Sequence, residues 1–574
     1  MNQFETGAEC IIRFLEEIKT EYISGIPGGA NLPLYDALYS SNIQHILARH
    51  EQGAGFIAQG ISRSSNKLGI CFVTSGPGFT NAVTAIADAN MDSIPMLIFS
   101  GQVSSTLKGT DAFQEVDASA IAKPITKKTY FIQSSEDLYH ILPEAFHLSR
   151  KGKPGPILID IPKDIQLQKM EKRKFVFEDT LKFESKPVNT SEISEFINLF
   201  NQSKKPLLYI GGGIQAAKAS EILMQFARKY RIPLVSSLMG LGAFPSIDPL
   251  FFGMLGMHGL PIANYAVQNS DLILAFGVRF DDRATGNVKS FAPNAKIIHV
   301  DISPKELGKI IKPELGVHTD IKLFLNTILK EALKTNTKSW LDELMYYKNT
   351  LSYSSPNIRN FFINLNSIFP SDTIISTDVG KHQMWTAQFY AFEKPHTLLT
   401  SGGLGTMGFG LPVAIGAALA NPHKTLVCIT GDGSILMNLQ ELALIRELNL
   451  NIKIILLNNR SLGMVKQQQE LFYEKRYSAS DFMFIPNFQS LAESFQIPYI
   501  SYSYSNNPNF KEHETFLKKN GPIFMELEIP DTEGVYPIVP PGKSNSEMIC
   551  YPEVDLSTKP SPYSLKEKTP VLQK

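Results

Sequence analysis

Three times along this chain an apolar run ends in a glycine turn and passes directly into a helical stretch. The first is "LGICFVTSGPG" (68–78) followed by "TNAVTAIADANMDS" (80–93); the second is "PLLYIGGGIQAAKASEILMQFARKY" (206–230); the third is "KTLVCITGDGS" (424–434) followed by "MNLQELALIRELN" (437–449). Strand, tight turn, helix is the repeating unit of a parallel sheet, because parallel neighbours need a crossover and a helix usually supplies it. Further apolar runs read as strands of the same kind: "IPMLIFSG" (94–101), "GPILIDIPKD" (155–164), "SDLILAFGVRFDDRATG" (270–286), "AKIIHVDIS" (295–303) and "IKIILLNNRS" (452–461). At 574 residues the chain is too long for one core. The expected fold is α/β, with three open parallel-sheet domains at 1–167, 190–335 and 358–548. The third block opens at "TIISTDVG" (373–380). The polar passage 168–192 reads as a linker, 332–358 carries helical periodicity with few sheet signals, and 549–574, rich in Pro, Ser and Lys, reads as a mobile tail. No short-period repeat is visible.

Lys plus Arg equals Asp plus Glu, at 55 each. The balance gives no electrostatic reason to expect nucleic acid or an anionic membrane as partner. Cys10, Cys71, Cys428 and Cys550 are scattered, with no metal spacing, and read as reduced thiols. The first twenty residues lack the basic and apolar blocks of a signal peptide. Glu5, Glu9, Glu16 and Glu17 have the wrong charge for a transit peptide. Ile11, Ile12, Phe14, Leu15 and Ile18 instead share the face of an amphipathic helix. No apolar run is long enough to span a bilayer, so a cytoplasmic location is expected.

The strongest chemical signal is "GDGS", Gly431 to Ser434, with "NN", Asn458 and Asn459, further on; Asp432 and Asn459 lie 27 positions apart. Each sits at the carboxyl end of an expected buried strand, where ligands of open α/β sheets gather. One carboxylate, one amide oxygen, a backbone carbonyl and phosphate oxygens suit Mg²⁺, and glycines let backbone N–H groups approach a diphosphate. The alternative is two ordinary strand-end turns. A second signal is "ARHEQGAGFIAQGISR" (48–63), where Glu51 precedes the small and apolar Gly53, Ala54, Gly55, Phe56, Ile57 and Ala58. That run reads as a helix start packed inside the protein. A Glu there either favours the helix dipole or exchanges a proton with something.

GDG, this spacer and NN resemble the signature of the thiamine diphosphate enzymes. The resemblance implies Mg²⁺ held by Asp432, Asn459 and the carbonyl of Ser461. It also gives Glu51 a task, hydrogen bonding to the cofactor's pyrimidine ring so that the thiazolium C2 carbon loses its proton. "GIPGGANLPLYDAL" (25–38), "RHEQGAGFIAQG", "TSGPGFTN" (74–81), "GTDAFQE" (109–115), "GVRFDDR" (277–283), "HQMW" (382–385) and "SGGLGTMGFGLP" (401–412) occur in order. Together, over about 5–548, they resemble the large catalytic subunits of the biosynthetic acetolactate synthases. That implies an N-terminal pyrimidine-binding domain, a central FAD domain and a C-terminal diphosphate and Mg²⁺ domain. By the same resemblance Met407 bends the cofactor and Gln114 lies near the thiazolium. Gly29, Ala30, Phe113 and Lys163 line the entry and substrate pocket, and Arg283 pairs with the carboxylate of the second oxo acid, a surface salt bridge with Asp281 or Asp282 being the alternative. Lys381, His382, Gly405, Gly433 and Ser434 are implied at the thiamine diphosphate. "GGGIQA" (211–216), "LGMHG" (255–259) and "VDIS" (300–303) resemble the flavin site, implying Gly211, Gly212, Gly213, Met257, His258, Gly277, Arg279, Asp281, Asp301 and Asp320.

Three positions depart from the family pattern. Lys381 stands where Gln is common, and either strengthens a diphosphate contact or points to solvent. Lys153 stands where Arg is frequent beside the flavin. Gln468, in "MVKQQQELFYE" (464–474), stands where many members have a Trp that favours 2-oxobutanoate; Trp340 and Trp385 are the chain's two tryptophans. The expected activity is condensation of pyruvate with pyruvate or 2-oxobutanoate, with weak preference for the larger acceptor. The resemblance further implies a homodimer or homotetramer, with Glu51 of one chain facing Asp432 of another, and a small regulatory subunit. A pyruvate oxidase, a decarboxylase or a non-catalytic cofactor-binding protein are the alternatives.

Overall fold

The structure, a computed structural model, describes residues 3–177, 186–350, 355–503 and 511–551. Most of the expected tail therefore lies outside the described residues. Three six-stranded sheets carry the chain, and every strand in them is parallel to its neighbours, as the strand–turn–helix units require. The first has the spatial order Gln44–Leu47, Tyr22–Gly25, Gly69–Val73, Met96–Gln102, Pro156–Pro162, Lys128–Phe131. The third runs Leu398–Leu399, Ile374–Thr377, Leu426–Gly431, Ile452–Asn458, Ile523–Glu528, Tyr499–Ser503. Counted along the chain, both orders are 2-1-3-4-6-5, so one topology is used twice. The second sheet runs Phe251–Met254, Leu234–Ser236, Pro206–Ile210, Leu272–Phe276, Lys296–Asp301, Leu315–His318. That is 3-2-1-4-5-6, the order of dinucleotide-binding sheets.

Contacts divide the chain into two compact units: residues 1–184, 372–383 and 396–531 hold the first and third sheets, and residues 185–371, 384–395 and 532–574 hold the second. Within the first unit both sheets contribute to one apolar core. At its centre the Glu51–Ser64 helix, buried from Gly53 to Ser64, packs on the Gly410–Ala420 helix. The crossing is reciprocal. A Cβ on Gly60 would lie 2.2 Å from the Val413 carbonyl oxygen, and one on Gly416 would lie 1.9 Å from that of Ile57. Close backbone approach leaves no room for a side chain. Gly416→Val should cost about 3 kcal/mol, the upper range of overpacking, read as a lower guanidinium midpoint; an unchanged midpoint would show that the helices part easily.

The N-terminal helix forms as expected, over Gly7–Glu17, with Ile11, Ile12, Phe14 and Leu15 buried. Thr6 and Glu9 cap it reciprocally: Glu9 N–H donates to Thr6 Oγ1 at 3.2 Å and Thr6 N–H to Glu9 Oε2 at 2.6 Å. The 168–192 passage is not linker throughout. Lys169–Glu171 pairs antiparallel with Phe4–Thr6, so the chain's start is tied to the end of the first sheet's domain. The region after 332 is helical, Lys338–Thr350 and Pro356–Ile368. Cys10, Cys71 and Cys428 are buried and all four cysteines are free thiols. Among the described residues no helix is long and apolar enough to cross a membrane.

Candidate functional site

Asp432 opens a short helix directly after the Leu426–Gly431 strand, and Asn459 follows the Ile452–Asn458 strand beside it. Adjacent parallel strands thus deliver both to one sheet edge. With its side-chain oxygen facing inward, Asn459 Oδ1 lies 3.0 Å from the Ser461 carbonyl oxygen and 3.3 Å from Asp432 Oδ1. An amide oxygen there faces two other acceptors and would need a cation between them; turned over, the amide donates to both oxygens and satisfies them without one. Oxygen spacing of about 3 Å is the edge of a Mg²⁺ octahedron with bonds near 2.1 Å. Asp432 Oδ2 is buried without a hydrogen-bond partner, and burial pushes this carboxyl up to about 6. The donor set therefore fits Mg²⁺. It differs from sites built of His, Cys, Asp and Glu side chains, of which no group of three occurs among the described residues.

Around this trio the third sheet places the other residues expected at a diphosphate. Gly433 and Ser434 follow Asp432, and Ser434 Oγ donates to the Val379 carbonyl. His382 is buried and packs where Cβ atoms on Gly380 and Gly431 would stand; burial drives its imidazole down to about 3, so it is neutral. Lys381 does not point to solvent. It is buried, and Nζ donates to the Asp531 carbonyl at 3.2 Å. Asp531 in turn accepts from Ser461 Oγ at 2.7 Å and pairs with Lys466. Met407 is half-buried in a turn between Gly405 and Gly408, whose φ angles of 72° and 84° favour glycine.

Glu51 is the first residue of its helix, and the His50 side chain accepts from Gln52 N–H. Glu51 Oε2 accepts from Asn81 Nδ2 at 2.9 Å. Glu441, buried, accepts the Arg49 N–H at 2.9 Å, and burial pushes its carboxyl up to about 7. Asn81 and Glu441 both escape reading from sequence as partners of this turn, although "TSGPGFTN" contains the first of them. At the strand ends of the same sheet stand Ala30, whose carbonyl accepts from Gln166 at 2.8 Å, exposed Gly29, and exposed Lys163 at the start of Lys163–Leu167. Gln114, with φ of 62°, lies against Gly76, and Phe113 is 88% exposed. Gln468 is half-buried on the Gly463–Phe472 helix. The Glu51 and Asp432 groups stand at the edges of separate sheets.

In the second sheet Gly211 and Gly213 follow the Pro206–Ile210 strand, and Gly277 follows Leu272–Phe276. A Cβ on Gly211 would lie 2.2 Å from the Gly277 oxygen, and one on Gly213 2.6 Å from the Gly277 Cα. These are the two strands between which the order reverses, where dinucleotides bind, and the missing side chains let their two turns pack backbone against backbone. Gly212 has looser neighbours. Asp301 ends its strand and accepts from Ser303 N–H at 2.7 Å; Asp281 caps Ala284 and Asp320 caps Leu323. Arg279 and Lys153 are half-buried. His258 is buried and lowered to about 4 by that burial.

Arg283 and Met257 share a cavity of about 120 Å³ with Gly286, Val539, Pro540 and Gly542. Backbone hydrogen bonds tie its lining together, Met257 N–H donating to the Arg283 carbonyl at 2.7 Å and Val539 N–H to the Met257 carbonyl at 2.9 Å. The Arg283 side chain is 66% exposed. Asp282 is its ion-pair partner at a loose 3.8 Å, while Asp281 is engaged as a helix cap.

A duplicated sheet with a metal-type oxygen set on one copy and an acid-led helix on the other, in a chain that also carries a dinucleotide-type sheet, defines the class. Three family models match it: the thiamine pyrophosphate enzyme N-terminal TPP binding domain at 5–121, central domain at 193–328 and C-terminal TPP binding domain at 378–527. The chain is 44% identical over 553 residues to the acetolactate synthase isozyme 1 large subunit of Escherichia coli (strain K12), covering 95% of this chain and 97% of the relative. It is 42% identical over 556 residues to isozyme 2 of the same organism, covering 95% and 99%, and 42% identical over 571 residues to the acetolactate synthase large subunit of Cyanidium caldarium, covering 95% and 97%. The chain belongs to the family of acetolactate synthase large subunits.

Proposed function

We propose that the protein is an acetolactate synthase: it removes CO₂ from pyruvate and joins the two-carbon remainder to a second 2-oxo acid, giving 2-acetolactate from pyruvate or 2-aceto-2-hydroxybutanoate from 2-oxobutanoate. These products lie on the way to valine, leucine and isoleucine. Asp432, Asn459 and the Ser461 carbonyl hold Mg²⁺; Lys381, His382, Gly433 and Ser434 hold the diphosphate of thiamine diphosphate. When bound, that cofactor supplies a carbon nucleophile at thiazolium C2 and a ring that accepts the electron pair released with CO₂. Glu51, held by Asn81, would be the hydrogen-bond partner of the cofactor's pyrimidine ring. Met407 would bear on the cofactor from its glycine-flanked turn. Gln114, Gly29, Ala30, Phe113 and Lys163 shape the pocket. Gly211, Gly212, Gly213, Met257, His258, Gly277, Arg279, Asp281, Asp301 and Asp320 hold FAD. The catalytic unit is a homodimer or a pair of them, with Glu51 of one copy meeting Asp432 of the other. The "large subunit" in the relatives' names implies a small regulatory partner.

The observation that carries the condensation over simple decarboxylation is Arg283, an exposed guanidinium at a cavity, loosely paired with one aspartate. Its fork suits a second carboxylate, which an oxidase or decarboxylase has no need to hold. The test is product analysis with Mg²⁺, thiamine diphosphate, FAD and equal pyruvate and 2-oxobutanoate. Acetolactate and acetohydroxybutyrate are expected; acetaldehyde or acetate with CO₂ and no new C–C bond would overturn the reading.

The same assay tests the acceptor pocket. Gln468 offers an amide where an apolar wall would reward the extra methylene of 2-oxobutanoate, worth about 1–3 kcal/mol. Gln468→Trp should shift the product ratio toward acetohydroxybutyrate by roughly tenfold or more; an unchanged ratio would remove Gln468 from the pocket.

A further inference from the structure

Against the turn that leads into Met407 lies a buried ionic cluster that the reaction does not use. The Arg63 side chain is 4% exposed and those of Asp88 and Asp92 are fully buried. Arg63 Nη2 donates to Asp88 Oδ1 at 2.8 Å, to Asp92 Oδ2 at 2.9 Å and to Gln59 Oε1 at 2.7 Å, and its plane covers the Phe409 ring at 4.9 Å. The other sides of these groups grip one stretch of backbone. Arg63 Nη1 donates to the Thr400 carbonyl at 3.1 Å. Asp92 accepts from Gly402 N–H at 3.1 Å and Gly403 N–H at 2.8 Å. Asp88 Oδ2 accepts from the Ser401 hydroxyl and from Thr406 Oγ1 at 3.0 Å, and Thr406 N–H donates to Ser401 Oγ at 2.9 Å. From Thr400 to Thr406 the turn is thus held at most of its residues, and Met407 comes next. Two carboxylates and one guanidinium out of water are a poor way to gain stability compared with apolar side chains of the same volume. Fully hydrogen-bonded, they define one geometry, since every displacement leaves a buried charge unpaired.

We propose that Arg63, Asp88 and Asp92 are positioning residues for the cofactor: they clamp the Thr400–Thr406 turn and through it fix where Met407 stands. This rests on the thiamine diphosphate reading above. Tolerance at such a wedge is narrow, because a misplacement of about 1 Å costs up to about a hundredfold in rate.

The experiment is deuterium exchange at the thiazolium C2 of thiamine diphosphate bound with Mg²⁺ to the full chain, quenched in acid and read by proton NMR, with cofactor saturation measured alongside. Thr406→Val removes the hydroxyl that meets Asp88 at unchanged volume and should slow exchange about tenfold with the cofactor still saturating. Thr406→Ser restores the hydroxyl and should restore the rate. Asp92→Asn places an N–H₂ against one of its three donors and should slow exchange further. Exchange at the wild-type rate in loaded Thr406→Val, with a lowered melting temperature as the sole change, would overturn the clamp. Should Asp92→Asn fail to fold, Thr406→Val decides. A wild-type protein that neither binds thiamine diphosphate nor exchanges C2–H would sink the cofactor reading and the clamp with it, whereas equal rates in wild type and variants sink the clamp alone.

Discussion

Glu51→Gln should lower kcat about a thousandfold, in the middle of the range for a positioned proton-transfer group, while leaving the fold and the affinities for Mg²⁺ and thiamine diphosphate near wild type. The reason lies in what the substitution keeps. Asn81 Nδ2 donates to Glu51 Oε2 at 2.9 Å, and a glutamine can turn its amide oxygen to the same donor. The other oxygen becomes an N–H₂, which cannot share a proton with a ring nitrogen. Packing of the buried Gly53–Ser64 part of the helix is untouched, since the number of non-hydrogen atoms stays the same. Steady-state kinetics, cofactor titration and circular dichroism on one preparation separate the two effects. Activity within a few-fold of wild type would remove Glu51 from the chemistry; loss of cofactor binding would make it a structural residue.

Asp432→Asn should abolish the rise in melting temperature that Mg²⁺ with thiamine diphosphate gives the wild-type protein. A ligand that binds the folded state alone stabilises it in proportion to the logarithm of its saturation, so the lost rise reports lost affinity. The expected loss is at least about a hundredfold, the top of the range for outer-shell partners, because Asp432 is one of the three oxygens and carries the charge. The metal-free variant should be as stable as metal-free wild type or more so. Asp432 Oδ2 is buried without a partner, and replacing an unsatisfied buried carboxylate relieves a desolvation cost. Unaltered metal-dependent stabilisation would place Mg²⁺ elsewhere.

The strands legible in the sequence are adjacent central ones. In the first sheet they are Gly69–Val73, Met96–Gln102 and Pro156–Pro162; in the second, Pro206–Ile210, Leu272–Phe276 and Lys296–Asp301; in the third, Leu426–Gly431 and Ile452–Asn458. Covered on both faces, such strands are apolar without interruption. The strands that escape include outer and short ones such as Gln44–Leu47, Lys128–Phe131 and Leu398–Leu399, whose partly exposed residues carry mixed patterns. The duplicated strand order leaves no visible repeat because burial, not residue identity, dictates it. Ser461 came with the family resemblance, whereas Asp432 and Asn459 were legible as neighbours because each follows a continuous apolar run that becomes a buried strand, and those two strands pair. Arg63, Asp88 and Asp92 were not: Arg63 and Thr400 are 337 positions apart, and two acids in "TNAVTAIADANMDS" look like ordinary helix polarity until the turn they hold is seen. Lys381 shows the same limit, since the depth that keeps it from solvent is a property of the third sheet's edge.

The reciprocal crossing of Gly60 and Gly416 also bears on how the protein is made. The Glu51–Ser64 helix leaves the ribosome some 350 residues before the helix that covers it. At a synthesis rate of about 5–20 residues per second its apolar face waits for tens of seconds. During that interval the first sheet's domain is complete in sequence but not in burial, and the whole second sheet is synthesised before closure becomes possible. The long-range pairing makes folding slow by topology alone. The nascent N-terminal half is therefore the stage at which a holdase has something to hold, and where crowding of unfinished chains would first lead to aggregation.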